Sequence, residues 1–436
     1  MNFEHTPRAQ ALLHALEAFM QRYLLPYNPA WHRSVQDKVY PPPFLEDLKT
    51  LAREEGLWNL FLPDLDHDEP GTALSHLDYA PLAEAMGRLP WAAEVFNCSA
   101  PDTGNMELLH RFATPEQRTQ WLMPLLEGRI RSAFAMSEPD VASSDPTNLQ
   151  TIVRRDHNEL VLNGRKWFIT GAAHPHCKLL IVMCRNVESP ETPDASQDNG
   201  SPRHHQHSMV LVPLDTPGVH VLRNIAVMHH QAPEGHCEIL LRDVRVPISN
   251  LLGHWGEGFA MAQARLGPGR VHHCMRTIGQ CELALELTSE RTLERQAFGK
   301  YLSDFANVQD WIAESRIEID QARLLVLQTA WLLDQGKVEP GQLRAQVAAI
   351  KVVAARLQTR VVDRAMQAFG AMGLSPDTPL AYFWSWGRAL HLMDGPDEVH
   401  LRTVARNELA RAQARMGASA AYFTTPEQLQ APVRLR

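Results

Sequence analysis

The sequence predicts an α+β fold built from three successive parts: helical, then β, then helical again. Three observations carry that expectation. Apolar residues recur every three or four positions up to about residue 130, short β-rich runs follow one another from Arg131, and long helical periods return after Pro247. The expected division is an N-terminal α-helical domain over 1–130, a middle β domain over 131–247, a C-terminal α-helical bundle over 248–416 and a tail over 417–436.

In the first part, Thr6-Pro7 reads as a helix start, and Leu12, Leu13, Leu16, Phe19, Met20 and Tyr23 share one face. Further helices are expected over 45–56, 82–87 and 114–128. The second part holds β-rich runs at 132–136, 150–154, 160–162, 166–170, 179–183, 209–212 and 237–246, and their close succession predicts a sandwich or barrel rather than β-α-β units. Between them, 186–207 is rich in Pro, Ser, Asp and His and reads as a solvated hairpin loop, because its histidines lack acidic or cysteine partners at metal-ligand spacing. The third part predicts helices over 256–294, 307–335, 341–370 and 396–416. Within 341–370, Val347, Ile350, Ala354, Leu357 and Val361 advance by three and four, while Arg356, Arg360 and Arg364 fall on another face.

Composition narrows the function. A hydrophobic share of 44% supports sizeable cores, and a net charge of −8 without a long Lys/Arg run argues against nucleic acid as a partner. The six cysteines form no CxxC pair and read as reduced, packed thiols of a cytoplasmic protein, with no metal site implied. The start, MNFEHTPRAQ, lacks a secretory pattern, and no apolar stretch reaches the ~20 residues that would span a bilayer. Dinucleotide-binding, P-loop and nucleophile-elbow glycine motifs are missing.

The stretch LMDGPDEVH at 392–400 puts a carboxylate, Asp394, directly before a glycine at the end of a long helical region. Its bland reading is a helix start, with proline early and acids in the first turn. Its chemical reading is a general base held on a turn.

Three motifs then occur in order: Met136-Ser137-Glu138-Pro139 leading to Ser143-Ser144-Asp145, the run NGRKWFITG at 163–171, and Glu294-Arg295 leading to Phe298-Gly299-Lys300. Together, and on these predicted elements, they resemble the acyl-CoA dehydrogenase family over nearly the whole chain, to about residue 415. The runs RLGPGRVHHCMR at 265–276, WIAESR at 311–316 and DGPDEVH at 394–400 resemble most the members that in some organisms are fused to a phosphotransferase-like kinase domain. No kinase stretch stands in these 436 residues. The resemblance also raises 4-hydroxyacyl-CoA substrates, which those relatives are implicated in handling.

The resemblance implies FAD-dependent α,β-dehydrogenation of an acyl-CoA thioester, with Asp394 abstracting the α-proton. It places Phe134, Met136 and Ser137 along the flavin edge, Ser144 near the cofactor and substrate phosphates, Phe168 against the isoalloxazine and Thr170 at its reactive side. Arg295, Phe298, Gln367 and Gly370 would meet the FAD of a neighbouring subunit, which implies a homodimer or homotetramer. Arg270 would support the substrate, and an electron-transfer flavoprotein would take the electrons. Burial of Asp394 in an apolar pocket is expected to raise its pKa. The chain departs from the family pattern at Asp394, where glutamate is usual, and at Ala297, Ala306, Ala371, Pro396 and Glu398. Two competing readings are a superfamily flavin oxidase such as a nitroalkane oxidase and a flavin-poor scaffold.

Overall fold

The computed structural model describes residues 4–187 and 206–425, so most of the histidine-bearing stretch and the end of the tail lie outside the described residues. The first part is helical: α1 (Pro7–Phe19), α2 (Leu25–Gln36), α3 (Leu45–Glu54), α4 (His76–Gly87), α5 (Ala92–Val95), α6 (Asp102–Phe112), α7 (Pro115–Gln117) and α8 (Met123–Leu126). The Thr6 hydroxyl accepts the Ala9 N–H at 3.2 Å to cap α1, and Thr114 and Gln117 form a reciprocal capping box at α7.

The second part contains β1 (Arg131–Ala135), β2 (Ile152–Asp156), β3 (Glu159–Thr170), β4 (Cys177–Val187), β5 (His207–Pro213), β6 (Val219–Asn224), β7 (His236–Pro247) and β8 (Leu251–Leu252). All eight belong to one hydrogen-bonded sheet, ordered β6-β7-β3-β2-β4-β5-β8 with β1 parallel to β4. The runs expected separately at 160–162 and 166–170 are a single strand. Its register shifts at Gly164, where a Cβ would collide with Thr151 on the neighbouring strand's approach.

The third part has α9 (Gly258–Glu294), a short hairpin of β9 (Gln296–Ala297) and β10 (Lys300–Tyr301), then α10 (Ala306–Gln335), α11 (Pro340–Phe369), α12 (Leu380–Leu390) and α13 (Asp397–Ala414). Helix α12 was not expected, because its dense aromatic run hides the helical spacing of Leu380, Phe383, Gly387 and Leu390, which are its buried residues.

One core cluster runs from the N-terminal helices through β4 and β5 into α9, α10 and α11, so the three parts are welded together. The weld is tightest where α4 crosses α9. A methyl at Gly87 would strike the Arg276 carbonyl, and one at Gly279 would strike the Glu84 carbonyl. Glycine at both positions lets the two backbones touch, which fixes the height of α9 against the first domain. Nearby, the Asp334 carboxylate accepts the His76 and Leu77 N–H groups at 2.8 and 2.9 Å, capping α4 from α10. The six cysteines are buried and unpaired, and no helix among the described residues is long and apolar enough to cross a membrane.

Candidate active site

Asp394 lies on the turn between α12 and α13 with φ +53°, a left-handed conformation that Asp tolerates better than most residues. Gly395 follows at φ +100°, and a Cβ there would sit 3.0 Å from His400 Nε2. The turn is held by its backbone: Arg270 Nε donates to the Asp394 carbonyl at 2.9 Å, and His400 Nε2 lies 3.2 Å from the same oxygen. Helix α13 then opens with Asp397 and Glu398 in its first turn, and the Asp397 N–H donates to the His391 carbonyl at 3.1 Å. No side chain caps this helix, so the Asp394 carboxylate is left for other work.

That carboxylate keeps 24% of its side-chain surface in a part-buried recess of the turn, with Arg265, Arg270 and Lys351 the positive charges acting on it. His273 Nε2 is 3.6 Å from Asp394 Oδ2, and among the described residues no hydrogen bond reaches either carboxylate oxygen. Burial pushes the carboxyl up, but His273, Arg265, Arg270 and Lys351 together pull it below its ordinary value. The expected upward shift is therefore corrected: the surroundings are not apolar, since α9 supplies Arg265 and Arg270 and α11 supplies Lys351, although burial lowers the pKa of each. Burial, aided by Arg276, pushes His273 down to about 3, so its ring is neutral near pH 7. The lasting positive neighbours of Asp394 are Arg265, Arg270 and Lys351.

Arg265 links this recess to the β domain. Its guanidinium lies 4.1 Å over the Phe134 ring, and its Nε donates to Asn105 Oδ1 at 3.0 Å. Phe134 is the penultimate residue of β1, and the Met136-Ser137 segment beyond the strand is pinned to β3 by a Trp167 N–H bond to the Ser137 carbonyl at 3.0 Å. Phe168 stands on the same strand with φ +51° and its ring 44% exposed, a strained position for a bulky residue. The Thr170 hydroxyl pairs with His236 Nδ1 at 3.0 Å, and His236 stacks on Trp386 of α12. Ser143 and Asp145 serve the turn, accepting the Glu138 and Thr147 N–H groups at 2.8 and 3.1 Å. Ser144 is exposed instead and lines a groove of about 470 Å³ with Thr147, Phe259, Arg402 and Arg406.

Arg295, Phe298, Gln367 and Gly370 are not part of this recess. From His273 to Arg295, α9 rises about 33 Å, and all four residues are exposed, Phe298 by 97%. Phe298 also has φ +54°, and a Cβ at Gly370 would meet nothing. Arg291 over the Phe369 ring, at 5.4 Å, ties the end of α9 to the end of α11, so the hairpin and the 367–370 corner share one end of the bundle.

Sequence reasoning missed Arg265, His273, Lys351 and His400 as neighbours of Asp394. The available signal was the density of basic and histidine residues in the RLGPGRVHHCMR run, too polar for the buried face of a bundle helix. Among the described residues, the grouping of Asp66, Glu69 and His110 could reach a metal ion, but Arg118 already pairs with both carboxylates at 2.7 and 2.8 Å.

Comparison with known proteins agrees with this architecture. Models of the acyl-CoA dehydrogenase N-terminal, middle and C-terminal domains match residues 6–129, 133–244 and 256–409. The chain is 53% identical over 380 residues to "Probable acyl-CoA dehydrogenase FadE2" of Mycobacterium tuberculosis, covering 87% of this chain and 88% of that protein. It is 48% identical over 416 residues to acyl-CoA dehydrogenase family member 10 of Mus musculus, covering 94% of this chain but 38% of that much longer protein. A solved Mycobacterium abscessus structure superposes with a TM-score of 0.86 at 46% identity, over 94% of this chain and 99% of its own. The chain thus belongs to the acyl-CoA dehydrogenase family of oxidoreductases, with the longer family member 10 among its relatives.

Proposed function

We propose that this protein is an FAD-dependent acyl-CoA dehydrogenase in which Asp394 removes the α-proton of the bound thioester. The observation that carries the reading is the Asp394 carboxylate itself: ionised, free of hydrogen bonds among the described residues, and held by a left-handed turn in a part-buried recess where Arg265, Arg270 and Lys351 act on it. A carboxylate so placed is ready to accept a proton, since no hydrogen bond among the described residues occupies its lone pairs. Arg270 keeps the turn in shape through the Asp394 carbonyl. Arg265 and Lys351 add positive charge around the Asp394 carboxylate, which favours negative charge gathering nearby. Bound FAD would supply the hydride acceptor for the β-carbon.

The residues present fit that cofactor. Phe168 offers an exposed ring face, with the Thr170 hydroxyl two residues along and the β1 end at Phe134, Met136 and Ser137 beside it. The groove carrying Ser144, Thr147, Arg402 and Arg406 suits the phosphates of a nucleotide thioester. The exposed set of Arg295, Phe298, Gln367 and Gly370, too far along α9 to serve Asp394 in the same chain, suits the FAD of a neighbouring copy, so the working form is at least a dimer. A partner flavoprotein then removes the electrons.

An anaerobic screen of acyl-CoA thioesters, 4-hydroxyacyl forms included, watched by flavin absorbance tests this reading. The wild type bleaches with at least one thioester, whereas Asp394→Asn retains FAD and assembly but loses bleaching on the wild-type time scale. Wild-type bleaching in Asp394→Asn removes Asp394 from its role, and a protein that stays colourless when FAD is supplied removes the cofactor.

A further inference from the structure

We infer that His273, held by Arg276, is a positioning residue that aims the Asp394 carboxylate. This rests on the reading of Asp394 as the base. An aspartate reaches about one bond length less far than the glutamate usual in the family, and reaction rates fall steeply when reacting atoms are misplaced by ~1 Å. A shorter base needs its direction set from outside.

The geometry supplies that direction. Arg270, His273 and Arg276 succeed one another at three-residue steps on α9, and so lie along one side of it. An Arg276 terminal nitrogen lies 3.2 Å from His273 Nδ1. A guanidinium can only donate, so Nδ1 accepts and the ring proton sits on Nε2. Nε2 is the atom that faces Asp394 Oδ2 at 3.6 Å, just outside hydrogen-bonding range. A small turn of the carboxylate closes that gap and leaves its second oxygen for the substrate.

Arg276 looks wasteful in any other role. Its second terminal nitrogen, Nη1, is buried and finds no hydrogen-bond partner among the described residues, an arrangement that packing alone would not select. Its backbone carbonyl lies against Gly87 at the α4–α9 crossing, so the far end of the relay is anchored in the first domain. Because the His273 ring is pushed down to about 3 and stays neutral, it orients the carboxylate without adding a full charge that would weaken it as a base.

The test uses the full-length, FAD-loaded protein and the acyl-CoA thioester that bleaches the wild-type flavin fastest. His273→Leu, His273→Asn, His273→Gln and Asp394→Asn are compared in three readouts. These are the flavin reduction rate at saturating thioester, the affinity for a thioester analogue lacking an α-proton by calorimetry, and the thermal midpoint. Glutamine can place an amide donor near the Nε2 position; asparagine falls short of it. Expected are a roughly 10- to 100-fold slower reduction in His273→Leu and His273→Asn, recovery to within about tenfold of wild type in His273→Gln, and analogue affinity within about threefold throughout.

Wild-type reduction in His273→Leu overturns the inference, as does a His273→Gln no faster than His273→Asn, which marks a packing role. Should His273→Leu fail to fold, the Gln and Asn pair decides alone. If Asp394→Asn also reduces its flavin normally, or no thioester bleaches the wild type, the base reading falls and this inference with it. An inert Asp394→Asn beside an unaffected His273→Leu sinks only the part given to His273.

Discussion

Glu138 and Asp394 are both carboxylates set inside the protein near a lysine, and the chain treats them in opposite ways. Glu138 accepts from Lys166 Nζ at 2.8 Å and from the Gln150 and Thr151 N–H groups at 2.6 and 2.9 Å. Lys166 gives its other donors to the Met136 and Met183 carbonyls at 2.9 and 2.7 Å. All three Lys166 donors are used and the carboxylate accepts three bonds, and the result is a staple between β3, β4 and the Met136-Ser137 segment. Around Asp394 the bonds go to the backbone carbonyl, and the carboxylate is left with charge but no hydrogen bond among the described residues, His273 Nε2 standing 3.6 Å off. Saturation marks a carboxylate that holds structure; charge without saturation marks one available for chemistry.

Asp394→Asn breaks the comparison at its sharpest point and has the largest expected effect. Loss of a positioned general base slows proton removal by ~10²–10⁴-fold, read as the flavin reduction rate at saturating thioester. Fold and assembly should persist, because the turn hangs on the Asp394 carbonyl, which the amide retains. The pH dependence has a definite sign. The folded pKa of Asp394 lies below its ordinary 3.8, so the base stays ionised down to that value and the stability it contributes is lost only as pH falls further. Flavin reduction should therefore show no acid limb from Asp394 above about pH 4.

Lys166→Met tests the saturated side and should strike the fold rather than the chemistry. Burial is the largest influence on both partners, lowering Lys166 and opposing the net downward shift of Glu138, so the pair as built adds little net stability. Breaking it is different, because Glu138 is then left charged and buried. A loss of about 3–5 kcal/mol is expected by denaturant titration, and Glu138→Gln with Lys166→Met together should recover part of it.

How much of this contrast the sequence disclosed follows from distance along the chain. The α, β, α order was legible because periodicity is local, and Asp394 stood out because a glycine and a proline flank it within two residues. The staple was not legible as a pair: Glu138 and Lys166 are 28 residues apart and meet only across strands. Nor were the cations of the recess, which come from α9 and α11 and converge only when those helices pack. That convergence is why burial did not raise the pKa of Asp394 as expected. The candidate cofactor residues were named from motif resemblance, whereas the backbone strain of two of them, φ +51° at Phe168 and φ +54° at Phe298, is visible only in three dimensions.

Glu107 of α6 sits between the two cases and offers a smaller, sharper probe. It is 5% exposed, its Oε1 finds no hydrogen-bond partner among the described residues, and burial pushes its carboxyl up to about 8 against the pull of Arg111 and Arg265. It is thus buried and unsaturated like a reactive group, yet neutral near pH 7. A raised carboxyl pKa gives stability that is full below the unfolded value of 4.5 and is lost as pH climbs toward 8. The wild type should lose about 1–3 kcal/mol between pH 6 and 8.5, whereas Glu107→Gln, which cannot ionise, should show a flatter profile. A Glu107→Gln profile as steep as the wild type's would place the pH sensitivity elsewhere.

The smallest effect on the chain itself is expected at Phe298, the exposed counterpart of Phe168. Both rings stand on positive-φ backbone, but Phe168 is half-covered on β3 beside the Met136-Ser137 segment, whereas Phe298 is exposed to solvent at the far end of α9. A ring that packs against nothing contributes nothing to the stability of its own chain, so Phe298→Ala should leave the monomer's unfolding free energy by denaturant titration within about 0.5 kcal/mol of wild type. Holding an exposed phenylalanine in a left-handed conformation needs some other return, and the proposed one is contact with the FAD of a neighbouring copy. Phe298→Ala should then release FAD on gel filtration far more readily than wild type while the Asp394 recess stays intact. If FAD is retained as in wild type, the outer set has no part in holding it, and the contrast between an inner chemical site and an outer binding site collapses to the recess alone.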